Sequence, residues 1–124
     1  MKANISEELE KLINEKIYLD LEVHILTKRL NEATQKNTTQ VHFFQKKLDH
    51  KLKELKQANQ QLRKENVKIF DPVKDDIFIQ YNFYVKVNGG YKEGNMRYWK
   101  DAMKYELNQR FQHRKQGDGS SASI

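Results

Sequence analysis

Residues 77–90 read Ile77-Phe78-Ile79-Gln80-Tyr81-Asn82-Phe83-Tyr84-Val85-Lys86-Val87-Asn88-Gly89-Gly90. Every odd position from 77 to 87 is apolar or aromatic, whereas the even positions include Gln80, Asn82 and Lys86. A period of two sends alternate side chains to opposite faces, so Ile77–Val87 is predicted to be a half-buried strand. Asn88-Gly89-Gly90 tolerates positive φ and predicts a hairpin turn. A second, weaker strand follows from Tyr91 to about Tyr98, with Gly94 as a bend or bulge. Trp99, Met103, Leu107 and Phe111 then fall four apart, with Ala102 beside them. That spacing predicts an amphipathic helix, ending near Arg114, laid across the apolar face of the hairpin. Residues 71–115 thus read as a small ββα unit. At about 45 residues it is near the limit of independent stability, so it leans on the preceding segment or dimerises. The Gly/Ser-rich end, residues 116–124, is expected to be a disordered tail.

Asp71-Pro72 marks the upstream boundary, because proline cannot continue a helix and disfavours helix at the residue before it. Residues 1–70 read as a coiled-coil region. Val41, Leu48, Leu55, Leu62 and Ile69 repeat every seven, and Leu52, Asn59 and Asn66 sit four after three of those leucines. Leu12, Leu19, Leu26 and Ala33 form one seven-residue series in Ser6–Ala33, and Leu9, Val23 and Leu30 a second in which Lys16 is the misfit. Ile13 and Ile17 widen that stripe, and Ser6 with Glu7 and Glu8 suits a helix start. The two heptad phases differ by one residue across the polar stretch 34–40, which is either a skip in one long helix or a turn between two. Matched lengths favour an antiparallel hairpin. Asn59 and Asn66 favour a parallel dimer, since Asn at a seam position fixes register and strand number. The dimer seam would then be Leu48, Leu52, Leu55, Asn59, Leu62 and Asn66. The fold class is mainly α: a long coiled-coil helix, or a helical hairpin, followed by the ββα unit.

The whole chain has 124 residues, 37% hydrophobic and 32% charged, with no Cys and a net charge of +6. So little apolar surface excludes a large-core enzyme, and the lack of thiols excludes disulfide scaffolds and Cys-ligated zinc modules. The first residues lack the basic start and apolar core of a signal peptide, and no apolar run approaches the ~18 residues of a membrane span. A cytoplasmic protein without membrane contact is expected. Lys outnumbers Arg 18 to 5, a usage typical of AT-rich bacterial genomes. The positive charge concentrates in residues 41–68, where Lys46, Lys47, Lys51, Lys53, Lys56, Arg63, Lys64 and Lys68 face three acidic residues. A basic helix can follow a phosphate backbone, or it can pair with the more acidic first helix. Near the C-terminus Arg97, Lys100, Lys104, Arg110 and Arg114 interleave with Tyr91, Tyr98, Trp99 and Tyr105, which suits nucleic acid because rings stack on bases. In the competing reading Trp99 is core and the tyrosines are rim residues. The candidate nucleic-acid-binding set is Lys46, Lys47, Lys51, Arg97, Lys100, Lys104, Arg110 and Arg114.

No catalytic residue, cofactor or metal is expected. His24, His42, His50 and His113 have no helical metal-site spacing to one another. Asp71, Asp75 and Asp76 with Glu93 would suit Mg²⁺ in a nuclease, but read first as solubilising residues around Pro72. Arg97-Tyr98 pairs a phosphate clamp with a nucleophile of recombinase type, a lone pair without supporting residues. The heptad region followed by Asn88-Gly-Gly-Tyr-Lys-Glu-Gly-Asn-Met-Arg-Tyr-Trp-Lys-Asp-Ala-Met103 resembles the small coiled-coil accessory proteins of bacterial mobile elements. The likeness is to the small third protein of site-specific transposons that also encode two recombinase-type transposases. It implies a non-enzymatic, homodimeric DNA-binding accessory in transposition or DNA recombination, with a recombinase or transposase as partner. The alternative is a coiled-coil protein-interaction module (a phage regulator, inhibitor or scaffold) without nucleic-acid binding, offering the edge of Ile77–Val87 to a partner strand.

Overall fold

The computed structural model describes residues 5–119. Two helices, α1 (Glu7–Lys36) and α2 (Val41–Lys64), precede four strands, β1 (Val67–Ile69), β2 (Val73–Lys74), β3 (Phe78–Val87) and β4 (Gly90–Trp99), and a last helix, α3 (Lys100–Gly119). Ser6 caps α1 by accepting the Leu9 N–H on its Oγ at 3.1 Å, and Glu7, Glu8 and Glu10 sit at the positive end of the helix dipole. Asn37 ends α1 at φ 51°, a left-handed conformation that Asn tolerates better than most side chains. The Thr38 N–H then donates back to the Ala33 carbonyl at 3.1 Å. The polar stretch is therefore a turn, α2 packs back on α1, and the two helices form a hairpin rather than one long rod.

The seam along α2 differs from the one expected. Leu48, Lys51, Ala58 and Leu62 are buried, with Leu55 half-buried between them, whereas Leu52 is 43% exposed. The positions expected to hold Leu52 and Asn59 are thus filled one residue earlier by Lys51 and Ala58. Asn66 is not in the helix at all. It takes φ 60° after the end of α2, and its carbonyl accepts the Lys86 N–H at 2.9 Å to open the sheet. Leu48 and Leu62 are consumed inside the chain, so the proposed zipper residues do not form one exposed face.

β3 is the central strand. β4 pairs antiparallel along its whole length, from Phe78↔Trp99 to Val87↔Gly90. β1 and β2 share the opposite side, with Ile69↔Phe83 and Val73↔Gln80 as successive anchors. Four steps along that edge match three along β3, so an extra residue is accommodated at Asp71-Pro72. Proline is tolerated at such an edge bulge. Because β3 is flanked on both sides, Ile77–Val87 has no free edge to offer a partner. The alternation holds in the middle of the strand, where Ile79, Tyr81, Phe83 and Val85 are buried, whereas Ile77, just before β3, and Val87, at its end, are exposed; the turn is Asn88-Gly89 with Gly89 at φ 86°. Gly94 sits opposite Phe83 in unbroken register, so it makes no bulge.

One core crosses the boundary expected at residues 70/71. Ile13, Ile17 and Tyr18 of α1 and Leu62 of α2 pack with Ile79, Tyr81, Phe83 and Val85 of β3 and with Met103 of α3. The ββα segment therefore completes its core with the hairpin. Trp99 is not part of the helical stripe. It closes β4, opposite Phe78, and is 53% exposed. The helix runs on to Gly119, past the expected start of the tail at residue 116, and residues 120–124 of that tail lie outside the described residues.

The β2–β3 connection rests on Asp75. Its Oδ1 accepts the N–H groups of Ile77 at 2.8 Å and Phe78 at 2.7 Å. Those backbone donors, Phe78 foremost, hold the Asp75 carboxyl below its ordinary pKa. A lowered folded-state pKa stabilises the fold fully above the unfolded Asp range and is lost as pH falls through the lowered value. An NMR titration of the carboxyl carbon should place Asp75 below ordinary aspartates. A midpoint at or above the ordinary range would contradict this turn.

Candidate nucleic-acid interface

The even positions of β3 face away from the core and carry Phe78, Gln80, Asn82, Tyr84 and Lys86. Register places Trp99, Arg97, Asn95, Glu93 and Tyr91 of β4 beside them. Lys68 of β1 adjoins Tyr84, and Phe70, whose N–H bonds the Asn82 carbonyl at 2.8 Å, follows on the same edge. Phe70, Tyr91 and Trp99 are all largely exposed. The rings are ordered among themselves: Tyr84 meets Phe70 at 5.6 Å and Tyr91 at 4.8 Å, both edge to face. Cations lie over two of them, Lys68 5.8 Å from Phe70 and Arg97 4.2 Å from Phe78. Arg97 also donates to Gln80 Oε1 at 3.2 Å. This face holds five aromatic rings with Lys68, Lys86 and Arg97 against a single acid, Glu93.

Of the residues expected to bind nucleic acid, Arg97 alone is on this face. Lys100 and Lys104 are exposed on the first turns of α3. Lys46 and Lys47 lie near the start of α2, about 27 Å along the helix from its sheet-proximal end at 1.5 Å per residue. There they line a depression with His42, Phe43, Lys53 and Phe111, so they form a second basic surface rather than an extension of the first.

Lys51 and Arg110 face inward, which corrects their placement among the DNA contacts. Glu22 is fully buried between them. Its Oε1 lies 2.6 Å from Arg110 Nη2, and its Oε2 lies 2.9 Å from Lys51 Nζ, the latter an ion pair without hydrogen-bond alignment. Arg110 also grips Glu15 with both terminal nitrogens at 2.9 Å. Burial works against the Arg110 charge, but its hydrogen bonds to Glu15 and Glu22 outweigh it and leave the pKa above its ordinary value. α1, α2 and α3 are thereby tied through one charge cluster. The side chain of Arg114 lies outside the described ones.

The model of the YhjD protein family matches residues 4–118. The chain belongs to that family. No curated protein and no solved structure matches it. The function of this YhjD-family chain is therefore to be read from its own residues.

Those residues separate Arg97 from Tyr98. The Tyr98 hydroxyl is on the core side, 2.6 Å from Asn14 Oδ1, and its ring meets Tyr18 at 5.8 Å. Burial, reinforced by Tyr18 and Tyr81, raises its pKa, and strand alternation sends it to the face opposite Arg97. Among the described residues no three His, Asp or Glu side chains converge on a possible metal position. None of the helices among those residues is long and apolar enough to cross a membrane. Sequence reasoning missed Phe70, Phe78, Tyr84 and Lys86, and it placed Lys68 on the basic second helix rather than on β1. Phe78 and Tyr84 were visible as aromatics at the even, outward positions of the strand.

Proposed function

We propose that the chain is a non-enzymatic nucleic-acid-binding protein that lays single-stranded DNA across the outer face of its sheet. The observation that carries this reading is the array of Phe70, Phe78, Tyr84, Tyr91 and Trp99 interleaved with Lys68, Lys86 and Arg97 on one sheet face. Aromatic rings on an open sheet stack on unpaired bases, while cations hold the phosphates. A duplex hides its base faces and gains little from such a surface. An accessory of transposition or DNA recombination, the role implied by the sequence resemblance, would use it on strands opened at element ends.

Fluorescence anisotropy with a labelled single strand and the matching duplex, at about 50 and 200 mM salt, tests it. The single strand should bind more tightly, and its affinity should fall with salt. Trp99→Ala and Tyr91→Ala should each weaken it by about 1–3 kcal/mol, the value of one base–ring stack. Unchanged affinity in both variants would overturn the reading. Loss in Lys46→Glu/Lys47→Glu with Trp99→Ala unaffected would move the interface to α2.

A further inference from the structure

The depression beside the start of α2 has a volume of about 810 Å³, within the roughly 300–1,000 Å³ of small-molecule sites. All three helices contribute to it. Leu26 comes from α1 and Phe111 from α3, and the flank of α2 supplies the rest together with Thr39 of the preceding turn. The lining is nearly all of one sign. Lys46, Lys47, Lys51 and Lys53 stand with His42 and His50 against one acid, Asp49, and Asp49 already accepts from Gln45 Nε2 at 2.9 Å. Lys51 is neutralised by Glu22. Lys46 and Lys53 are exposed and form no ion pair among the described residues. Seven residues separate them, about 10.5 Å along one face of the helix. Among the described residues no side chain caps α2 and no acid sits in its first turn, so the positive helix end adds to the same field.

Two aromatic rings complete the lining. Phe43 is 47% exposed, with its edge set against Phe44 at 5.4 Å and Lys47 Nζ 5.3 Å from its centroid. Phe111 is half-buried and has the Arg29 guanidinium 5.3 Å from its centroid. A small inorganic anion would leave both rings unused, and an uncharged ring would leave Lys46 and Lys53 unused. A planar heterocycle joined to a run of phosphates uses all four, since bases stack on aromatic faces and lysines hold phosphates as point charges. We propose that the depression binds a free nucleoside di- or triphosphate, with its base against Phe43 and Phe111 and its phosphates between Lys46 and Lys53. The site lies between the helices, apart from the aromatic face of the sheet, and does not depend on the single-strand reading.

Titration calorimetry of the full-length chain with ADP, adenosine and pyrophosphate tests it. ADP should bind, and adenosine and pyrophosphate should each bind about tenfold or more weakly, because each keeps only part of the contacts. Phe43→Ala and the double variant Lys46→Glu/Lys53→Glu should each weaken ADP by about tenfold or more. All three positions are exposed, so the far-UV spectra and urea midpoints of these variants should match the wild type. In amide NMR spectra ADP should shift Thr39, His42, Phe43 and Phe111 rather than the residues of β4. Trp99→Ala should leave ADP binding unchanged, which separates this site from the sheet face: that variant can lose single-strand binding while keeping the nucleotide. Absence of ADP binding, an ADP affinity no greater than that of pyrophosphate, or loss in Trp99→Ala with Phe43→Ala unaffected would overturn the proposal.

Discussion

Replacing Glu22 by Ala should lower the unfolding free energy by about 3–5 kcal/mol, the cost of breaking a buried ion pair from one side. Glu22 is the central anion of the three-helix junction and has no solvent exposure. Without it Lys51, itself 4% exposed, keeps among the described residues only Glu54, whose Oε1 is 3.8 Å away. The expense is the stranded ammonium rather than the lost attraction. Glu22→Leu with Lys51→Met removes both buried charges and leaves Arg110 with its two hydrogen bonds to Glu15. That double variant should recover most of the loss, because well-packed apolar residues commonly replace a buried pair without penalty. Urea unfolding of Glu22→Leu, of Lys51→Met and of the double gives the coupling directly. A loss below about 1 kcal/mol for Glu22→Ala would mean that water reaches the cluster.

The same cluster shows why the helical region was only half legible. The series Leu12, Leu19, Leu26 and Ala33 was readable, and Leu19, Leu26 and Ala33 are buried. On α2 the seam is carried partly by Lys51 and Ala58, and a search for large apolar residues passes over both. Leu52 and Asn59, adjacent to them, fit a heptad equally well on paper. Only the partner helix decides between two seams one residue apart, because burial of Lys51 depends on Glu22 and Arg110 arriving from elsewhere in the chain. Asn37 and Asn66 carry a related lesson. Both take left-handed backbone conformations at helix ends, a role that Asn fills as readily as a zipper position. The sheet was more legible, since strand alternation is a local signal. The short strands β1 and β2 were not, because their few residues gain strand geometry only by pairing with β3. The candidate interface was partly in view through Arg97, Tyr91 and Trp99. Its other half became visible when register placed Phe70 and Tyr84 beside them.

Phe83→Ala should cost about 3–5 kcal/mol, whereas Asn82→Ala, one residue away, should stay within about 0.5 kcal/mol. Phe83 is 3% exposed at the middle of the central strand. Its cross-strand neighbour on β4 is Gly94, which brings no side chain, and on β1 it is Ile69. β4 therefore cannot fill the space that the ring leaves, and α1 packs on the same core through Ile13 and Ile17. A cavity that its walls cannot collapse into carries the full penalty of large-to-small substitution. Asn82 faces the opposite side of the sheet, is exposed, and gives its backbone rather than its side chain to the edge strand. The contrast between neighbours is therefore a direct measure of which face of β3 is interior. Chemical denaturation of both variants reads it, and comparable losses at the two positions would mean that the outer face is also covered, removing the open aromatic surface on which single-strand binding depends.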